Sequence, residues 1–94
     1  MSRFDVAMLE DAVEDVLVGK QFYEESEEGV GVYFAASALA DITSLGIYAG
    51  IHSSHFGYFR LLMKRFPFAI YYRKERNRVE VCSPGYAEEP QDTS

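Results

Sequence analysis

Ninety-four residues and 10.7 kDa suffice for one small domain and exclude a second. Hydrophobic residues make up 48%, and seven Phe with seven Tyr supply large packing units, so a real core is expected and wholesale disorder is excluded. The net charge of −6 hides a polarised chain. Residues 1–55 hold ten acids against Arg3 and Lys20, residues 56–83 hold seven bases against Glu75 and Glu80, and the last eleven residues add Glu88, Glu89 and Asp92.

This asymmetry suggests one face for an anionic partner and another that keeps the molecule in solution, although the two halves could equally neutralise one another across the fold. An acidic molecule binds nucleic acid poorly without an uncancelled basic surface, so direct DNA binding is not expected. Cys82, the one cysteine, rules out an internal disulfide framework and a cysteine-based zinc cluster, and fits a reducing cytoplasm. Asp5, Glu10, Asp11, Glu14 and Asp15 lie in the first twenty residues, where a signal peptide tolerates none of them. No apolar stretch has stop-transfer flanks, and no membrane partner is expected.

Arg3 to Val6 reads either as a short strand or as the run-in to a helix. From about Met8 to Glu25, Leu9, Ala12, Val13, Val16, Leu17 and Tyr23 recur with a helical period, and Glu10, Asp11, Glu14 and Asp15 take the other side. Gly19 inside that pattern costs roughly 1 kcal/mol relative to Ala and is expected to loosen the helix. Ser26, followed by Glu27 and Glu28, reads as the cap of a second helix reaching Tyr48, with Gly50 as its stop. Apart from Ser37, Tyr33 to Ala40 is apolar, so this helix should bury one side on a sheet and offer another to a second subunit.

Beyond Phe56, Gly57–Met63, Phe66–Arg73 and Arg78–Ser83 are rich in aromatic and β-branched residues and read as strands, separated by Lys64–Arg65 and Lys74–Asn77. In the middle strand Phe68, Ile70 and Tyr72 alternate with Ala69, Tyr71 and Arg73, and Pro67 belongs at its start or on an edge. The fold class is therefore α+β: a two-helix antiparallel hairpin on a three- to four-stranded antiparallel sheet. One domain spans residues 1–83, and 84–94 forms a flexible acidic tail.

No motif here is a strong catalytic one. His52 and His55 lack further nearby ligands for a metal and read as loop residues, and the adjacent Ser53 and Ser54 have no orienting acid. No metal and no cofactor is expected. The candidate site is the basic, aromatic-rich carboxyl half: Arg60, Lys64, Arg65, Tyr71, Arg73, Lys74, Arg76 and Arg78. Basic groups among aromatics suit an acidic peptide or a nucleic-acid backbone. They equally protect a strand edge from aggregation, and residue types alone leave both readings open.

Arg60-Leu-Leu-Met-Lys-Arg-Phe-Pro-Phe-Ala-Ile-Tyr-Tyr-Arg73, followed by a basic turn and Val79-Glu-Val, resembles the RelE/ParE superfamily of bacterial toxins, in its ParE-like, plasmid-stabilisation branch. Phe22-Tyr-Glu-Glu-Ser before a glycine-containing turn and Tyr33-Phe is similar to that family's helix junction. The resemblance implies a helical hairpin on an antiparallel sheet and the toxin half of a toxin–antitoxin pair. Its partners would be a cognate antitoxin with an acidic C-terminal segment and DNA gyrase as target. The RelE-type alternative is a ribosome-dependent messenger-RNA endoribonuclease, for which Arg60, Arg65 and Tyr86 would be the catalytic candidates. That branch places an arginine after the aromatic that opens the central strand, where this chain has Ala69, so a non-enzymatic role is favoured. The usual basic C terminus is replaced by Pro-Gly-Tyr-Ala-Glu-Glu-Pro, which implies attenuated or lost toxicity. A third reading is a non-toxic module that dimerises through the second helix.

Overall fold

The computed structural model describes residues 3–82, so the expectations for the 84–94 tail and for Tyr86 fall outside the described residues. The elements run β1 (Asp5–Met8), α1 (Glu10–Ser26), α2 (Val30–Tyr48), β2 (Ser53–His55), β3 (Tyr58–Leu62), β4 (Ala69–Glu75) and β5 (Arg78–Cys82). The strands form one sheet in the order β1-β5-β4-β3-β2.

The α+β architecture stands, and the sheet is larger than the sequence suggested. Antiparallel β3, β4 and β5 coincide with the three expected strands, shifted by up to three residues. The two additions are edge strands. Asp5–Met8 pairs parallel to β5, Asp5 opposite Arg78 and Met8 opposite Val81, so the sheet is mixed. Ser53–His55 pairs antiparallel to β3 across a two-residue turn with Phe56 (φ 52°) and Gly57 (φ 84°) both in the left-handed region, the geometry that keeps a tight hairpin in twist. A Ser-Ser-His segment has little intrinsic strand preference; it is held by its partner.

Two local expectations are corrected. Ser26 does not cap the second helix: it is the last residue of α1, and Gly29 (φ 90°) stands at the cap position of α2. The capping oxygens come from Glu24 instead. Its Oε2 accepts from the Gly29 N–H at 2.9 Å and its Oε1 from the Gly31 N–H at 2.8 Å, so one carboxylate of α1 satisfies two orphan donors of α2. Nor does Gly19 loosen α1, which is continuous through it. A Cβ there would lie 2.7 Å from the Phe34 ring, so glycine at this position is what admits the ring.

The core lies between the helices and one sheet face. Ala12 and Val16 of α1 and Phe34, Ala38, Ile42 and Leu45 of α2 pack on Ile70, Tyr72, Val79 and Val81. Phe66 and Phe68 both reach this layer: Phe66 stacks 4.8 Å from Tyr23 and 5.2 Å from Phe34, and Phe68 lies 5.1 Å from Phe34. Pro67 sits between them outside the strand, where the Phe68 N–H donates to the Phe66 carbonyl at 2.8 Å in a three-residue turn suited to its fixed φ. The Arg-Phe-Pro-Phe motif is thus a plug for the helix–sheet interface. By length and composition α2 could cross a membrane, yet its inner side is spent on this core.

Candidate functional site

The strand period of two divides the expected site between the faces of the sheet. On the face turned away from the core, cross-strand register aligns Tyr58 of β3, Arg73 of β4 and Glu80 of β5 in one row, and Arg60, Tyr71 and Cys82 in the next. Arg78, opposite Glu75, completes a third row beside the β4–β5 turn, and Arg76 occupies that turn with φ 57°. Arg60, Tyr71, Arg73, Arg76 and Arg78 are therefore brought together at one sheet face and its end.

The other three expected residues are elsewhere. Lys74 alternates to the helix side, where its ammonium lies 5.0 Å from the Phe4 ring centre and its aliphatic stem lies alongside Gly50. Lys64 and Arg65 lie in the β3–β4 connection at the opposite end of β4, beside Ser37, Ala40 and Asp41 of α2, and the Arg65 guanidinium stands 5.8 Å over the Tyr33 ring. The eight residues are thus two groups. Their adjacency in sequence hid a change of face at Lys74 and a reversal of direction at the connection.

Charge within the outer face is partly cancelled. Glu80 Oε1 accepts from Arg73 at 2.6 Å, and its Oε2 accepts from Arg78 at 3.2 Å. The two guanidiniums hold the Glu80 carboxyl below the usual carboxylate range, Arg73 contributing more, and the same bond holds Arg73 more firmly protonated. Arg60 is different. Its Nε is buried and has no hydrogen-bond partner among the described residues, an unmet donor on a cationic group. Arg73 also lies 6.0 Å from the Tyr58 ring centre. Tyr71, expected as a contact residue, is 2% exposed, and packs with Leu9, Tyr58, Ala69 and Cys82 as the floor of the face.

An open groove of about 480 Å³ runs along this face, lined by Leu9, Glu10, Asp11, Tyr58, Arg73 and Cys82. Sequence reasoning missed its amino-terminal wall, because parallel pairing of β1 with β5 brings the start of α1 beside Cys82 from seventy residues away. Glu80 was missed as a counter-charge, though counting outward from the two-residue turn places it opposite Arg73. The groove does not suit thiol chemistry: burial first, then the Asp11 charge, pushes the Cys82 thiol up to about 11, so it stays protonated at neutral pH. The arrangement can bind an extended anionic segment through guanidiniums and aromatic rims, and among the described residues it aligns no nucleophile with a base.

His52 has a structural role. The buried Tyr72 hydroxyl accepts from the Gly50 N–H at 2.9 Å, and it lies 2.5 Å from His52 Nδ1, to which it can donate only while that nitrogen is unprotonated. Burial lowers the His52 pKa in the same direction.

No family model matches the sequence, and no curated protein matches it. Among solved structures, a chain of the "Chromosomal ParDE TA system from P. aeruginosa" is similar at a TM-score of 0.75 and 13% identity, covering 85% of this chain and 91% of that one. At such identity the likeness is one of fold. This chain shares its fold with that chain of a ParDE system.

Proposed function

We propose that this chain is the toxin-family component of a bacterial, cytoplasmic toxin–antitoxin module, and that it acts by binding protein rather than by catalysis. The observation that carries this reading is the outer sheet face: on a ParE-like fold, Arg60, Arg73, Arg76 and Arg78 gather over a Tyr58–Tyr71 floor, with one guanidinium nitrogen buried and unpartnered among the described residues. Such a face fits the acidic C-terminal segment of a cognate antitoxin, laid across the strands with its carboxylates on the guanidiniums and clear of the Glu10–Asp11 wall. Gyrase is the target class that the resemblance offers. Residues 84–94 hold Glu88, Glu89 and Asp92 and no Lys or Arg, where the resembling toxins carry a basic segment, which supports weak rather than strong poisoning.

Co-expression with the product of the neighbouring reading frame tests the module. The account expects the two proteins to purify together and the complex to dissociate at high salt, since exposed charges are screened. Failure to co-purify at low salt would remove the antitoxin reading. For the target, purified chain is expected to inhibit gyrase supercoiling only weakly. Unimpaired supercoiling with normal growth of expressing cells would remove the gyrase role and leave antitoxin binding intact.

A further inference from the structure

We infer that the solvent side of α2 is a self-association surface whose occupant is the same face of a second copy of this chain. Helical spacing puts Val32, Ala36, Leu39, Ala40, Thr43 and Ile47 on the side of α2 opposite the core residues Phe34, Ala38 and Leu45. All six are exposed, Val32 by 60% and Leu39 by 51%. A surface helix ordinarily spends this side on charged groups. Here no charged residue occurs from Val30 to Ala40, and Asp41, the one charge in the helix, lies off the stripe. In a molecule of net charge −6, and beside an α1 whose outer side carries Glu10, Glu14 and Glu25, that neutrality is specific to one face.

Three properties favour a second copy over a different partner. A two-fold contact sets each residue near the axis against its own counterpart, so only an uncharged stripe escapes self-repulsion. Ala36 and Ala40, one turn apart between larger neighbours, give a groove into which Leu39 and Val32 of an antiparallel copy fit as ridges. An acidic segment would meet cations at one edge of the stripe, where Lys64 and Arg65 lie beside Ala40, and its other charges would face uncharged side chains unpaired. The stripe exposes less than the roughly 800 Å² per partner of a standard interface, so the dimer is reversible rather than permanent. The inference does not depend on the toxin reading.

Sedimentation of the full chain across the micromolar range tests it. The wild type should pass reversibly from monomer to dimer, with no weakening at high salt because no ion pair crosses the contact. Leu39→Glu should shift the dissociation constant upward at least tenfold while keeping the wild-type circular dichroism. Val18→Glu, equally exposed on the flank of α1 away from α2, should dimerise as the wild type does. A wild-type monomer throughout, or a Leu39→Glu chain that dimerises with unchanged affinity, would overturn the inference. Should Leu39→Glu fail to fold, Ala36→Gln serves in its place with the same criteria.

Discussion

Glu24 joins two helices with one side chain. Its hydrogen bonds from the Gly29 and then the Gly31 N–H hold its carboxyl below the usual carboxylate range. A carboxyl whose folded pKa is depressed stabilises above its unfolded value near 4.5, and that contribution is lost as pH falls through the lowered folded value. Glu24→Ala should therefore lower Tm clearly at pH 7 and much less near pH 3, read by thermal melts at both. His52 runs with the same sign from a higher starting point: its contribution is present above about 6.5 and fades as pH falls toward its lowered folded value. At Tyr72, 0% exposed, substitution by Phe keeps the stacking on Phe59 at 5.1 Å but leaves the Gly50 N–H without its acceptor. Urea unfolding should show a loss of about 1–3 kcal/mol. None of these three partnerships was legible in the sequence: the Glu24 bonds depend on the exact bend between α1 and α2, and those of Tyr72 join residues about twenty positions apart.

Among the elements, the helical hairpin depends on two glycines that helix propensity alone would condemn. A Cβ on Gly31 would lie 2.3 Å from the Lys20 carbonyl oxygen and 2.8 Å from the Glu24 side chain. Backbone cannot yield as a side-chain tip can, so Gly31→Ala should destabilise by roughly 1–3 kcal/mol despite the better propensity of alanine; denaturant midpoints would read it. The alternation of Phe68, Ile70 and Tyr72 against Ala69 and Tyr71 was legible, because a period of two survives any detail of packing. The edge strands were not, since Asp5–Met8 and Ser53–His55 are defined by what they pair with rather than by composition. Register also assigns Glu80 its role. It occupies Arg73 and Arg78, so Glu80→Gln should free both guanidiniums and tighten binding of an acidic segment several-fold, with a steeper salt dependence, as titration calorimetry would show.

At the scale of the molecule, the charge polarity seen along the chain is carried into space only in part. Arg60, Arg73, Arg76 and Arg78 crown the outer sheet face, while Glu10 and Asp11 at the start of α1 wall its groove. The basic half of the sequence foreshadowed that face, and the Arg-Phe-Pro-Phe-Ala-Ile-Tyr-Tyr resemblance foreshadowed the fold; the division of the bases into two groups comes from the change of face at Lys74 and the β3–β4 connection. The direct test is the affinity of the neighbouring frame's product for the wild type, for the outer-face variant Arg60→Glu/Arg76→Glu, and for Lys64→Glu/Arg65→Glu at the far end of the sheet. The account predicts a loss of tenfold or more for the first pair, little change for the second, and an intact fold in both. Equal affinity for all three proteins, or a loss confined to the Lys64–Arg65 variant, would contradict it.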